Sequence, residues 1–395
     1  MKILKVINYA LKIFRSILFY PLWILELLLP RDKNIFVFST LYSQRYTGNT
    51  RALFEYILKF DSTKIIYWVT ENNSLYNNLL NNNIPVVKKY SIKSWFIHLQ
   101  AGYAFDTHVG DLNNYALNGA KRIRLWHGMP LKKIGNDDLL NINKNFIIRY
   151  LKNINYSYIK NADFTISSSE FFIPFLSSAF LLNSNNILLT GIPRTDYFYI
   201  NKIENIIIKI RNQFLNSKII LFMPTFRFSG SGGSVYNPFE GFHFNKEKFS
   251  EFLKEENIVF LYKPHFNDRK LSFELSLDRF ILLNDNDYDE LYILLSNIDI
   301  LITDYSSVYF DFLCLRKPII LNPFDYEDYI KNVRELYFNY NELKSIKAYN
   351  WDELFNIVKE YRYYPPSDDE IEKFSKYNDG NASKRCFSKI MELIK

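Results

Sequence analysis

Five stretches of the chain end an apolar run on side chains that can bind anions or move protons. "LWHGMPLKKIG" (125–135) closes on His127 and Gly128, and "GIPRTDYF" (191–198) carries Arg194 and Asp196. "MPTFR" (223–227) offers Thr225 and Arg227, and "LYKPHF" (261–266) sets Lys263 and His265 on either side of Pro264. "LITDYSSVYFDF" (301–312) turns through Asp304, Ser306 and Ser307. Histidine is the side chain that changes charge near neutral pH, so it can accept and return a proton during a reaction. Lysine is a point charge suited to phosphate oxygens, and Pro264 stops a strand ladder and fixes the backbone between the two. A lysine and a histidine so placed suit a diphosphate. The Asp304–Ser307 turn leaves free backbone N–H groups and two hydroxyls where a helix starts, which makes it an anion site.

Each motif also has a plainer reading. Asp and Ser are the common helix caps, so Asp304, Ser306, Ser307 and Asp196 all suit capping, while Arg194 suits an anion. Lys263 and His265 taken alone suit a surface lysine and a cap. Residues 229–234 and 241 hold four glycines and three serines, the composition of a flexible loop or of a lid that orders over substrate. Asp285-Asn-Asp287 has the form of the Asp-x-Asp of metal-dependent glycosyltransferases, but Asp289 and Glu290 follow, and a capped acidic first turn is favoured over a metal site.

The elements that must position these residues are short β-branched or aromatic runs separated by helical patterns. Strands are expected at 34–39, 64–70, 84–89, 103–108, 122–127, 163–168 and 187–191. A second series is expected at 218–225, 257–265, 280–285, 299–306 and 318–324. Near-continuous apolar strands alternating with helices mean parallel sheets covered on both faces, here two Rossmann-like halves. In such sheets ligands sit beyond the carboxyl ends of the strands, where all five motifs fall. The expected division is a membrane-associating segment over 1–30, an N-terminal Rossmann-like domain over 31–204, a C-terminal Rossmann-like domain over 205–366 and a closing helix over 367–395.

Composition narrows the function classes. Two cysteines, Cys314 and Cys386, stand in unrelated contexts, which argues against a disulfide framework or a zinc site and fits a reducing compartment. The net charge of +7 is compatible with anionic lipid, substrate or nucleic acid, but no Lys/Arg stripe with stacking aromatics follows the first thirty residues, so no nucleic-acid partner is expected. On a helical wheel Lys2, Lys5, Asn8, Lys12, Arg15 and Ser16 share one face, and Ile3, Val6, Ile7, Leu11, Phe14 and Leu18 fill the rest. The apolar run that follows is broken by Pro21 and Glu26 and is too short to span a bilayer, so an interfacial helix is preferred to one docked on the protein's own core or to a removed segment. Phosphate-binding, dinucleotide-binding and nucleophile-elbow signatures are absent, which weakens ATPase, dehydrogenase and hydrolase readings.

With these blocks in order, adding "KPIILNPFDYEDY" (317–329) and "DGNASKRC" (379–386), the chain from about 100 to 390 resembles the CDP-glycerol glycerophosphotransferase family of teichoic-acid primases and polymerases and their capsule relatives. It departs from the family pattern in having Met129 where threonine is usual and Phe226 where tryptophan is common. The resemblance implies a metal-independent, two-domain GT-B fold without cofactor, bound peripherally at the cytoplasmic face of the cell membrane. It also implies transfer of glycerol phosphate or ribitol phosphate from a CDP-polyol to a hydroxyl of a lipid-linked glycan, with release of CMP. Under that reading His127 is the base on the acceptor side, with Gly128 allowing close approach. His265 and Lys263 stabilise the pyrophosphate and departing CMP, Ser306 and Ser307 hold phosphates beside Asp304, and Thr225, Arg227 and Arg194 complete the pocket. The alternative is a GT-B glycosyltransferase using a nucleotide sugar.

Overall fold

The structure is a computed structural model that describes residue 26 and residues 28–138, 162–227, 237–265 and 275–394. Most of the amphipathic segment expected over 1–30, and most of the glycine-serine run after Phe226, lie outside the described residues. Among the described residues twelve strands form where the apolar runs were read. The first seven are β1 (Asp32–Phe38), β2 (Ile65–Thr70), β3 (Val86–Lys88), β4 (Ala101–Asp106), β5 (Lys121–Arg124), β6 (Phe164–Ser167) and β7 (Ile187–Leu189). The next five are β8 (Lys218–Met223), β9 (Ile258–Tyr262), β10 (Phe280–Leu282), β11 (Ile300–Thr303) and β12 (Ile319–Leu321).

They build two sheets, a seven-stranded one in the order β3-β2-β1-β4-β5-β6-β7 and a five-stranded one in the order β10-β9-β8-β11-β12. Every strand pair is parallel. Helices cover both faces, which is why the strands read as unbroken apolar runs. In the first core Phe38 stacks on Phe105 at 4.3 Å and meets Phe54 edge-on at 5.4 Å, while Phe54 meets Trp68 at 5.6 Å. In the second, Trp351 packs among Phe239, Phe244 and Phe249, its indole N–H donating to the Pro238 carbonyl at 2.7 Å. Each such ring fully buried contributes about 1.5–3 kcal/mol, so the aromatic bias of the chain is spent largely on these cores.

The tail is two helices, Asp368–Ser375 and Ala382–Ile394, where one closing helix was expected. The break falls at "YNDGN", where Gly380 takes φ +82°, a conformation glycine adopts without strain. Both helices return to the first half. Ser168 and Ser169 hydroxyls donate to the Phe374 and Lys373 carbonyls, and the Asp196 carboxylate accepts from the N–H groups of Ala382 and Ser383 at 2.9 and 2.7 Å. Asp196 is therefore a cap, as its plainer reading held, but for a helix almost two hundred residues away. The "GIPRTDYF" and "DGNASKRC" blocks are two sides of one latch.

Strand order also locates the cleft. Chain direction across the first sheet reverses between β1 and β4, and across the second between β8 and β11. Loops leaving neighbouring strands at such a point diverge and leave a crevice. The residues just beyond those strand ends are Ser39–Leu41, Thr107–His108, Pro224–Phe226 and Asp304–Ser307.

Candidate active site

The turn after β5 carries the first histidine. Trp126 adopts φ +49° and Gly128 φ +134°, so the chain doubles back directly after His127. Asn49, buried on the helix Gly48–Phe60, holds this turn from below: its Nδ2 donates to the carbonyls of Leu125 and Trp126 at 2.8 and 3.0 Å. The Oδ1 of the same side chain accepts from the Arg194 backbone N–H at 3.2 Å, tying two motifs to one residue. Glycine is required at 128 for a reason other than substrate approach. A Cβ there would collide with the Ser307 side chain and lie 2.9 Å from an Arg194 guanidinium nitrogen. Here the two halves touch.

His127 is solvent-exposed yet has much protein close around it. Loss of surrounding water, then the positive charges of His108, Arg194, Lys132 and His265, hold its pKa well below the ordinary 6.5. It is neutral at pH 7, the state a general base needs. The influence of His265 places a histidine of the second half within electrostatic reach of one from the first. His265 itself stacks on Phe226 at 5.3 Å, so the aromatic departure from the family pattern keeps a stacking ring.

Two of the expected anion ligands are paired with carboxylates of the protein. Arg227 forms a two-pronged pair with Asp325, both distances 2.8 Å, and pairs with Asp304 at 2.7 Å; it also donates to the Thr225 carbonyl and lies against the rings of Tyr305 and Tyr329. Asp304, fully buried, further accepts from the N–H groups of Thr225 and Tyr305. These two residues clamp the ends of β8 and β11 together under the cleft. Arg194 likewise pairs with buried Asp311 at 2.5 Å and covers the Tyr292 ring, bridging the halves.

What remains open is smaller. Thr225 Oγ1 is buried and finds no partner among the described residues, although burying a bare hydroxyl is unfavourable. Ser306 Oγ accepts from the Val308 N–H at 3.4 Å, and Ser307 lies against Gly128. Lys263 donates to Asp285 at 2.8 Å and rides over the Tyr288 ring. Asp285 also pairs with Arg45 and accepts from the Tyr288 hydroxyl, so its oxygens are engaged with cations and donors of the protein. Glu290 accepts from Thr47 and Gly48 at the start of the Gly48–Phe60 helix, and Asp289 pairs with Arg51 and Lys202. The acidic run therefore docks the halves.

Three residues of the cleft were not singled out from the sequence. Asn49 gives no signal before the fold is known. His108 ends "YAFDTH" just as His127 ends "RIRLWH", a parallel that was legible. The Lys132 side chain has no hydrogen-bonding partner among the described residues, and burial lowers its pKa to about 7, with Arg334 and Arg227 adding to the fall and Asp304 opposing it. Its neighbour Lys133 pairs with Glu335 on the surface.

A family profile described as CDP-Glycerol:Poly(glycerophosphate) glycerophosphotransferase matches residues 22–392. The teichoic acid glycerol-phosphate transferase of Staphylococcus aureus (strain NCTC 8325 / PS 47) is 27% identical over 386 residues, covering 91% of this chain and 94% of that protein. The teichoic acid poly(ribitol-phosphate) polymerase of Bacillus spizizenii (strain ATCC 23059 / NRRL B-14472 / W23) is 34% identical over 236 residues, 57% of this chain and 37% of its own. Among solved structures, the wall teichoic acid polymerase TagF superposes with a TM-score of 0.74 at 22% identity, covering 98% of both chains.

Proposed function

Because the chain belongs to the CDP-glycerol:poly(glycerophosphate) glycerophosphotransferase family, we propose that its cleft transfers glycerol phosphate or ribitol phosphate from a CDP-polyol to an acceptor hydroxyl, releasing CMP. The observation that carries this reading is that His265, just beyond β9 of the second sheet, lies within electrostatic reach of His127, just beyond β5 of the first, with Lys132, whose side chain has no hydrogen-bonding partner among the described residues, acting on the same ring. The acceptor oxygen attacks the phosphorus that bears the polyol. His127, neutral and exposed, takes the hydroxyl proton. The bond to the bridging oxygen breaks, and CMP leaves with the extra negative charge.

That charge needs stabilising where it grows. His265 and Lys263, at the end of β9, stand on the donor side. Lys132, whose side chain has no hydrogen-bonding partner among the described residues, supplies a cation, and the Thr225 hydroxyl gains the partner it lacks among them. Ser306 and Ser307 add hydroxyls at the end of β11. Arg227, Asp304 and Arg194 act one step back by fixing the strand ends and the approach of the two halves. No cofactor or metal enters this scheme.

The acceptor is a lipid-linked glycan, and the protein works at the cytoplasmic face of the membrane without spanning it. Among the described residues no helix is long and apolar enough to cross a bilayer. Glu26 supports a fixed root for the preceding segment: it is buried, accepts from the Asn118 N–H at 2.9 Å and pairs with Arg31 at 3.4 Å. Removing residues 1–25 should release the protein from anionic vesicles while leaving its turnover on a soluble acceptor intact; unchanged vesicle binding refutes the attachment.

The donor decides the reading. Purified protein offered CDP-glycerol, CDP-ribitol and a panel of UDP- and CMP-sugars should release nucleotide only from a CDP-polyol. Release from a sugar nucleotide alone would replace the reading with the glycosyltransferase alternative.

A further inference from the structure

His108 stacks on His127, and the reaction above gives it no part. It follows β4, beside the point where strand order reverses, and its ring lies against that of His127 with centroids 4.6 Å apart and planes only 2° from parallel. Tyr42 covers the ring at 5.2 Å, and Trp126 approaches at 6.0 Å. Its Nδ1 lies 2.8 Å from Thr107 Oγ1. That hydroxyl also lies 2.9 Å from both Asp111 Oδ2 and Thr40 Oγ1, so His108 is tied into a buried hydrogen-bond network that ends on the Asp111 carboxylate. Asp111 is fully buried, and the same oxygen accepts the backbone N–H groups of Thr107 and His108, both at 2.8 Å, so the support is rigid.

The charges acting on the two rings differ. Burial disfavours a proton on His108, while Asp111, which accepts the His108 backbone N–H, and Asp106 favour one, opposed by Arg124. Arg194, Lys132 and His265, all positive or able to become so, act on His127. Two imidazolium rings face to face at this distance repel, so the pair holds one proton at most over the physiological range. The carboxylates favour His108 as its holder.

We propose that His108 is a positioning residue for His127: the stacked ring fixes the plane of the base and draws any proton the pair holds to itself, leaving His127 free to receive one from the acceptor. The proposal rests on the reading of His127 as the base. Burial lowers the proton affinity of both rings, and that of His127 is lowered furthest, in keeping with the charges acting on the two rings.

The test uses full-length protein with His108→Phe, which keeps a flat ring and removes the charge, and His108→Ala, which removes both. The His127 imidazole is titrated by NMR, its signal assigned by loss in His127→Asn, and kcat/KM with CDP-glycerol is measured from pH 5 to 9. In His108→Phe the His127 midpoint should rise by about half a pH unit or more, and the acid limb of kcat/KM should move up with it. In His108→Ala, kcat at the alkaline plateau should fall about tenfold, the donor KM staying level, because the ring plane is no longer held. An unchanged His127 midpoint in His108→Phe overturns the proposal, whatever the alanine variant does. A shifted midpoint with an unshifted activity profile removes His127 from the role of base and overturns the positioning role with it, leaving only the sharing of a proton within the pair.

Discussion

Gly128→Ala tests the contact on which the cleft closes. At φ +134° an alanine is strained by about 1–3 kcal/mol, and the added methyl meets the Ser307 side chain and an Arg194 guanidinium. Forcing a methyl into a packed contact adds about 1–3 kcal/mol, so the variant should lose about 2–4 kcal/mol of stability once part of the strain relaxes. Relaxation has one direction open to it, because Asn49 holds the turn from below and Ser307 is the nearer obstacle. The halves must separate slightly, displacing His127 from the donor side. A misplacement of about 1 Å costs about 100-fold in rate, so kcat/KM should fall by that order. The double-mutant cycle with Ser307→Gly separates the two causes: removing the Ser307 side chain relieves the clash but not the backbone strain. In the Ser307→Gly background Gly128→Ala should recover about 1–2 kcal/mol, read by urea denaturation, and at least tenfold of the rate, read by CMP release. If the two substitutions prove additive in both assays, the close approach of the halves is not what glycine serves at this position.

His127→Asn should reduce turnover about 10²–10⁴-fold with an unchanged melting temperature, and wild-type turnover in that variant would exclude a general base there. Lys132, with its pKa near 7, carries more charge as pH falls, so the donor KM should decrease from pH 8 to pH 6; a flat KM in the wild type, or a slope that persists in Lys132→Met, contradicts its role as a phosphate ligand. Asp311→Asn leaves the Arg194 guanidinium buried without its carboxylate and should destabilise the protein by about 3–5 kcal/mol, measured by urea denaturation; a loss under 1 kcal/mol would show the bridge to be dispensable. Burial raises the Glu26 carboxyl to about 7 from 4.5, so the unfolded chain releases this proton first as pH rises. Stability should therefore fall from pH 5 toward pH 7, and Glu26→Gln should flatten that part of the melting-temperature profile. An identical profile in the variant would show that Glu26 does not set the slope.

Periodicity and apolar run length located all twelve strands, because strands buried on both faces must be apolar nearly throughout. Their carboxyl ends are where ligands sit by rule, and His127, His265, Lys263 and Thr225 were placed just beyond strand ends from residue type and pattern alone. Family resemblance supplied the reaction class. Residue type could not decide which charged groups face substrate and which face one another. Arg227 and Asp304 looked like pocket residues, yet they neutralise each other and Asp325, since a buried ion is tolerated only when paired. Asp196 capped a helix almost two hundred residues away, and Asn49 joined two motifs from a helix that carried no chemical signal of its own. Such pairings depend on which loops diverge at the strand-order reversals, and strand order is fixed by packing between elements rather than by any single element's pattern. The sequence by itself determined the elements, the strand ends that carry chemistry and the histidine at the end of "RIRLWH". Only the tertiary structure decided that a second histidine from β4 stacks on it, and that Gly128 is small because the other half of the molecule leaves no room for a side chain.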